Sequence, residues 1–212
     1  MTTVDLRLGN CIELMAAMPD KSVDAVVTDP PYAVGVKYEG YEDTRENLIK
    51  LVNAFMPHVL RIAKRVLITC GVHNIQLYPQ VDWILSWTIP AGVGRGWWGF
   101  CCWQPILVYG KDPYLQDGKG CRPDTIVYNG RSDKCEHPCP KPTELMKWIL
   151  ERGTRPGETI LDPFMGSGTT GVACVKTGRN FTGMEICENY FNVAKKRIAD
   201  EQMQNKIELE TV

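Results

Sequence analysis

The stretch VDAVVTDPPY, Val23 to Tyr32, ends an apolar run in an acid, two prolines and a tyrosine. The Val-rich run reads as a strand covered on both faces. Asp29 then stands just past a strand end, the side on which parallel sheets hold ligands. Pro30 and Pro31 fix φ and donate no N–H, which leaves their carbonyls free to accept. Asp29 and the Pro30 carbonyl form a rigid pair of acceptors, and Tyr32 adds a flat face. The matching guest is a planar group with an NH₂, such as a nucleobase amine, stacked on the ring. Acceptors that draw its hydrogens make a delocalised lone pair available for attack. An inert strand-ending turn has the same residues, so the tetrapeptide gains weight only from its neighbours.

One such neighbour is TILDPFMGSGTTG, which contains Gly166-x-Gly168-x-x-Gly171 between a strand and a helix. Glycines let the backbone approach a ligand, and a helix N-terminus offers free N–H groups. Glu185 ends the next strand, where a carboxylate accepts from both hydroxyls of a ribose. A nucleoside-containing cofactor is implied. A P-loop is excluded, because no Lys follows the glycines. A dinucleotide site matches the literal spacing, yet Asp162, Pro163, Phe164 and Met165 intervene between strand and first glycine. An ordinary Gly-rich turn is the bland alternative. Asp162 tips the balance: an anion beside the loop repels phosphate and suits the ammonium and sulfonium of S-adenosylmethionine.

The elements needed to hold these groups are legible. TVDLRLGN alternates Val4, Leu6 and Leu8 as a strand, and CIELMAAM is a short helix stopped by Pro19. ENLIKLVNAFMPHVLRIAK is helical, with Leu48, Leu51, Val52, Phe55, Val59 and Ile62 at helical spacing and a kink or break at Pro57. RVLITCG and CCWQPILVYGK are strands. From Asp112 to Cys135 the pattern is lost, which predicts a long surface loop. TELMKWILERG is a helix with Thr143 as N-cap and Gly153 just past its end. GETILDPF is a strand, GTTGVACVKTG a helix, NFTGMEI a strand and ENYFNVAKKRIADEQM a helix. Such alternation predicts an α/β domain with a largely parallel sheet.

The bulk properties are permissive. A chain of 212 residues, 44% hydrophobic, supports one well-buried domain. A formal charge of -1 names no partner. Nine cysteines without repeating spacing, behind an opening without a leader pattern, point to free thiols in a reducing cytoplasm. The apolar run WWGFCCWQPILVY is too short to span a membrane, which needs about 20 residues.

TDPPY, HPCPKPTELMKWIL, LDPFMGSGTTGVAC and TGMEICENYFNVAKKR together resemble the amino-methyltransferases of DNA. The catalytic tetrapeptide precedes the glycine loop, which resembles the circularly permuted β-group. The resemblance covers nearly the whole chain and is weakest from about Gly110 to Glu136. It implies an S-adenosylmethionine-dependent methyltransferase (Rossmann-like) fold, a mostly parallel seven-stranded sheet with one antiparallel strand and helices on both faces. It implies direct methyl transfer to a flipped base in double-stranded DNA, with S-adenosylmethionine as cofactor, in a bacterial cell or phage-infected host. Asp29, Pro30, Pro31 and Tyr32 match the catalytic motif, and Asp29 also borders the cofactor. Asp162, Pro163, Phe164, Gly166, Ser167, Gly168 and Thr169 match the cofactor loop, and Glu185 the ribose acid. Lys141, Pro142 and Thr143 match the segment at the methionine end. Asn10 replaces a family Asp near the adenine. Asp29 favours adenine N6, since cytosine-N4 members more often carry Ser there; the near alternative is a cytosine-N4 DNA or an RNA amino-methyltransferase. Residues 111–136 stand where larger members insert a target-recognition domain, so 1–212 reads as a single domain, and a homodimer is possible.

Cys121, Cys135, His137 and Cys139 lack a usual zinc-finger spacing, so no metal is expected. Trp97, Trp98 and Trp103 are read as core or rim packing. The loop AVGVKYEGYEDTREN is either a lid over the base or a plain connector. Arg61, Lys64, Arg65 and Lys195-Lys196-Arg197 read as solvated helix faces, and Arg131 and Lys134 as phosphate contacts. A nicotinamide-dependent oxidoreductase leaves DPPY unexplained, and a silent DNA-binding subunit leaves its intact chemistry unused.

Overall fold

Period-two alternation sends consecutive residues of the central strands into two separate cores. Ala25 and Val27 face one side while Val26 faces the other, and Leu67, Ile106 and Ile160 are likewise opposed to Ile68, Leu107 and Leu161. The computed structural model describes residues 2–92, 94–96, 98–130, 135 and 137–210. The elements in its first half are β1 (Val4–Leu8), α1 (Cys11–Ala16), β2 (Val23–Thr28), β3 (Lys37–Tyr38), β4 (Tyr41–Glu42), α2 (Arg45–Ile62), β5 (Ala63–Thr69), a 3-10 helix (Val72–Leu77) and β6 (Trp83–Thr88). There follow β7 (Gly94–Gly96), β8 (Gly99–Cys101), β9 (Trp103–Tyr109), α3 (Pro113–Gln116), β10 (Thr125–Val127), α4 (Thr143–Gly153), β11 (Thr159–Asp162), α5 (Thr169–Lys176), β12 (Asn180–Glu185) and α6 (Glu188–Glu210).

The main sheet has the order β1-β12-β11-β2-β5-β9-β6-β10. Its pairings are parallel except those of β9, which runs against β5 and β6. Helices α1 and α2 cover one face through Met15, Leu48 and Phe55. Helices α4, α5 and α6 cover the other through Leu145, Ala173 and Ile198. This is the expected α/β fold, with eight strands in the main sheet among the described residues in place of seven. The added strand is β10, parallel to β6 at the edge, in register Ile126 to Trp87.

Segment 112–135 is therefore more than a loop. Asp112 caps α3 by accepting from the Tyr114 and Leu115 N–H groups, and β10 pairs at an edge where three residues suffice. Strand β6 was not anticipated, although Leu85 and Trp87 are buried with less buried neighbours between them. Pro57 does not split α2. Its missing N–H would have served Asn53 one turn back, and both residues lie on the exposed side, where water supplies the bond. Thr143 opens α4 rather than capping it; Pro142 holds the cap position without a side-chain bond.

The chain turns back between β2 and β11. From β2 it continues to β5 on one side, and from β11 to β12 on the other. Ligands in open α/β sheets bind at such a reversal, beyond the carboxyl ends of the strands. The two ends are tied there directly: Thr28 Oγ1 donates to Asp162 Oδ1 at 2.6 Å.

Candidate active site

A cavity of about 300 Å³ opens over that reversal. Asp29 and Pro31 line it from the end of β2, Lys141 from the segment before α4, and Asp162 to Gly166 from the end of β11. Ser167, Thr169, Glu185 and Asn10 complete the wall among the residues expected there. Pro30, Tyr32, Pro142, Thr143 and Gly168 are set back and support it.

Asp29 is held by three donors, all on Oδ1: Tyr32 Oη at 2.7 Å, Thr69 Oγ1 at 2.5 Å and Lys141 Nζ at 2.9 Å. Its second oxygen takes none of these. Lys141 Nζ also lies 4.5 Å from the centre of the Tyr32 ring, so one face of that ring already carries a cation. Asn74 Nδ2 donates to the Tyr32 carbonyl at 2.6 Å, which fixes the backbone after the two prolines. Burial, then the nearby Asp29 charge, pushes the Tyr32 hydroxyl well above its ordinary pKa, so it stays a donor.

Asp162 is 2% exposed. Oδ1 accepts from Thr28 and the Phe164 N–H, and Oδ2 from Thr170 Oγ1 at 2.6 Å. Burial raises its pKa to about 6. These bonds make it the knot between β2, the glycine loop and α5. Glu185 accepts three backbone N–H groups, from Gly166 at 2.9 Å, Ile186 at 3.0 Å and Cys187 at 2.9 Å. Burial lifts its pKa above the ordinary glutamate value. Asn10 Oδ1 caps α1 by accepting from the Ile12 N–H, so the amide expected near an adenine also has a structural bond.

The glycines divide the work. Gly166 (φ +49°) sits against His137, where a Cβ would come within 3.0 Å of Nε2. Gly168 (φ +79°) and Gly171 instead let α6 approach: their Cβ atoms would meet Ala194 Cβ at 2.9 Å and Ile198 Cδ1 at 2.4 Å.

Further groups line the cavity beside the motif residues. The loop after the tetrapeptide is an ordered β3–β4 hairpin whose Tyr38, Glu39 and Tyr41 line the cavity. Asp43 anchors it by accepting from the N–H groups of Ala33, Val34 and Val36, and Glu39 reaches across to Asn189 at 2.8 Å. His137 and Tyr190 stand edge to face, 4.7 Å apart, on the far wall; burial lowers the His137 pKa, which keeps it neutral at pH 7. Ile186 is 62% exposed, and the cavity it borders accounts for that. Tyr38 and Tyr41 belong to the loop read as lid or connector, and His137 to the HPCPKP segment, whereas Glu39, Ile186 and Tyr190 had no signal but nearness in sequence to the motifs.

Three expectations about charged and aromatic residues change. Arg197 is not solvated: its Nη1 donates to Ser167 O at 2.7 Å, Ser167 Oγ at 3.0 Å and Thr169 Oγ1 at 3.3 Å, clamping the glycine loop from α6. Arg61 and Arg65 also turn inward, onto the Met15 carbonyl and Glu158. Trp98 does not pack; it is wholly exposed. Trp97, Arg131 and Lys134 lie outside the described residues. All nine cysteines are free thiols, and burial pushes Cys11 and Cys70 up to about 12, which leaves both protonated. Among the described residues, no helix is long and apolar enough to cross a membrane.

Known proteins show the same organisation. YubD of Escherichia coli (strain K12), to which the name methylase is provisionally attached, is 27% identical over 209 residues, 90% of this chain and 88% of its own. The cytosine-N4-specific PvuII DNA methyltransferase superposes with a TM-score of 0.72 at 15% identity, over 96% of this chain and 93% of that one. M1.HpyAVI, solved as a complex with SAM, gives 0.67 at 24% identity, over 92% and 99%. The DNA methylase family model for N6 and N4 enzymes matches residues 87–196, more than half of the sequence. The chain belongs to the N6/N4 DNA methylase family.

Proposed function

We propose that the chain transfers the methyl group of S-adenosylmethionine to the exocyclic N6 amine of adenine in double-stranded DNA, with the target base flipped into the site. The observation that carries this reading is the state of Asp29, gripped through Oδ1 by three donors at the mouth of a cavity over the sheet reversal. Such a grip fixes the carboxylate's orientation and leaves Oδ2 to meet a substrate. Asp29 at the head of the tetrapeptide, where cytosine-N4 members of the resembled family more often carry Ser, favours adenine.

The cavity fits the cofactor on two counts. Gly166, at φ +49° under His137, brings backbone rather than a side chain to the cavity wall, and Glu185 presents a desolvated carboxylate at the end of β12. When bound, the cofactor supplies an electrophilic methyl on a sulfonium. Glu185 would accept from the ribose hydroxyls, Ile186 would wall the purine, and Asn10 would lie at the adenine edge. Lys141, with Pro142 and Thr143 behind it, would meet the methionine carboxylate. Pro163, Phe164, Ser167 and Thr169 shape the floor. Asp162 acts here by holding the loop rather than by touching the ammonium.

For the base, Asp29 Oδ2 and the Pro30 carbonyl accept the two amine hydrogens. This draws the nitrogen lone pair out of conjugation and aims it at the methyl. As the N–C bond forms, the methyl's bond to sulfur would break with its electron pair returning to sulfur, and the Asp29 carboxylate would take the proton the amine sheds. Tyr32 keeps the carboxylate in place through its hydroxyl, and its ring, packed against the core on the α1–α2 side, backs the tetrapeptide.

Incubation of unmethylated DNA with S-adenosylmethionine, digestion to nucleosides and mass spectrometry tests this, with Asp29→Ala as the control. N6-methyladenine that disappears in the variant is expected. N4-methylcytosine would overturn the choice of base, and no methylated base would overturn the DNA reading.

A further inference from the structure

Between Asp82 and Lys111 the chain carries one charged residue, Arg95, and no carboxylate. In the middle of that run β7 and β8 form a hairpin, with Arg95 opposite Phe100. Trp98 at its turn is 104% exposed and Phe100 68%. The Arg95 guanidinium lies 5.3 Å from the centre of the Phe100 ring. Large apolar side chains clustered at an exposed tip mark a contact surface.

The hairpin's place says which contact. It leaves the sheet at the carboxyl end of β6 and returns at the start of the antiparallel β9, the edge that also carries Asp29. The 3-10 helix after β5 joins the two. Its Asn74 holds the Tyr32 carbonyl. Its neighbour His73 lies against the hairpin, 3.8 Å from where a Gly96 Cβ would be. The aromatic tip and the catalytic tetrapeptide thus rest on adjacent residues of one helical turn.

We propose that this hairpin is a wedge for duplex DNA: Trp98, flanked by Phe100, enters the base stack beside the target and fills the gap its extrusion leaves, while Arg95 meets the adjoining phosphate. The proposal rests on the reading of the chain as a DNA methyltransferase acting on a flipped base. Every base offers a π-face to an aromatic ring, and phosphate repels carboxylates, which this run lacks. Wedges of this kind unstack a step in exchange for a new contact. Single strands have no stack to open, so the hairpin matters for duplex alone.

The full-length chain is compared as wild type, Trp98→Ala, Trp98→Phe and Trp83→Ala, the last a 59% exposed tryptophan at the amino end of β6. Methyl transfer is measured on unmethylated plasmid DNA, native and heat-denatured, with cofactor affinity by calorimetry. Trp98→Ala is expected to slow transfer to native DNA roughly tenfold relative to denatured DNA, the effect of losing about one stacked base. Trp98→Phe recovers most of the loss, Trp83→Ala matches wild type, and cofactor affinity stays within about twofold. Equal loss on both DNA forms, or none, overturns the proposal. Equal loss with a dimer that dissociates in sedimentation makes the hairpin an interface between copies instead. If wild type methylates neither form, the underlying reading has failed, and duplex binding by fluorescence anisotropy decides the wedge: weaker binding of duplex alone by Trp98→Ala supports it, and unchanged binding overturns it.

Discussion

Lys141 Nζ lies 2.9 Å from Asp29 Oδ1 and 4.5 Å from the centre of the Tyr32 ring, so one cation touches both ends of the catalytic tetrapeptide. The lysine side chain is 9% exposed and the aspartate 22%. Removing one partner of such a pair strands the other, whereas removing both does not. The pair also links the two substrates, because Lys141 is the residue proposed to meet the cofactor carboxylate.

Asp29→Ala is therefore expected to lower kcat about 1000-fold and to lower stability by about 2 kcal/mol. Lys141→Met introduced into Asp29→Ala should restore most of the stability and none of the activity. Urea denaturation at pH 7 with steady-state kinetics checks both, and additive stability losses would show that the pair is not coupled.

The buried Asp162 gives a pH dependence of definite sign. Burial lifts its folded pKa to about 6, above the 3.8 of an exposed aspartate. Between about pH 4 and pH 6 the folded chain keeps a proton that the unfolded chain has lost. Stability contributed by the protonated acid is thus full below that window and falls as pH rises through it, by at most roughly 3 kcal/mol. Asp162→Asn should flatten this part of the profile, because an amide can still bond both threonines. Melting temperatures of the two proteins from pH 4 to 7 decide it; parallel curves would refute the assignment.

Glu185 Oε1 and Oε2 are turned toward the backbone of the glycine loop and the start of α6. A hydrogen bond to a charged group contributes about 1.5–3 kcal/mol. Glu185→Ala should accordingly weaken cofactor binding by roughly 10- to 100-fold, and Glu185→Gln less. Titration calorimetry with S-adenosylmethionine measures this directly. Unchanged affinity in Glu185→Ala would remove the residue from the site.

Arg197 reaches the glycine loop from a different element and touches no proposed substrate atom. Arg197→Met keeps most of the apolar stem and loses the clamp. The expected result is cofactor affinity reduced about tenfold with kcat at saturation within about twofold, since the loop is re-formed by the bound ligand. A fall in kcat without a change in affinity would contradict a positioning role.

The strands β2, β5, β11 and β12 were legible because strands buried on both faces carry apolar residues at consecutive positions, as in AVV of β2, VLI of β5 and IL of β11. Their carboxyl ends were legible for the opposite reason: Asp29, Asp162 and Glu185 are acids where an apolar run stops. The edge was not. Three residues of β10 and the half-buried β6 carry too little periodicity to be told from a loop, and pairing with a neighbour is what makes them strands.

The sequence by itself determined the fold class, the order of the motifs and the chemistry of the strand-end acids, since each depends on residue types close together in the chain. Only the tertiary structure decided their partners. Thr69 and Lys141 meet Asp29 from 40 residues downstream and from the far side of the sheet reversal, Arg197 closes on Ser167 from 30 residues away, and the β3–β4 hairpin reaches Asn189 over 150 residues. A lone arginine or threonine has no spacing to announce its role. Its partner is chosen by which strands lie side by side, and that choice is made by burying both faces of the sheet at once.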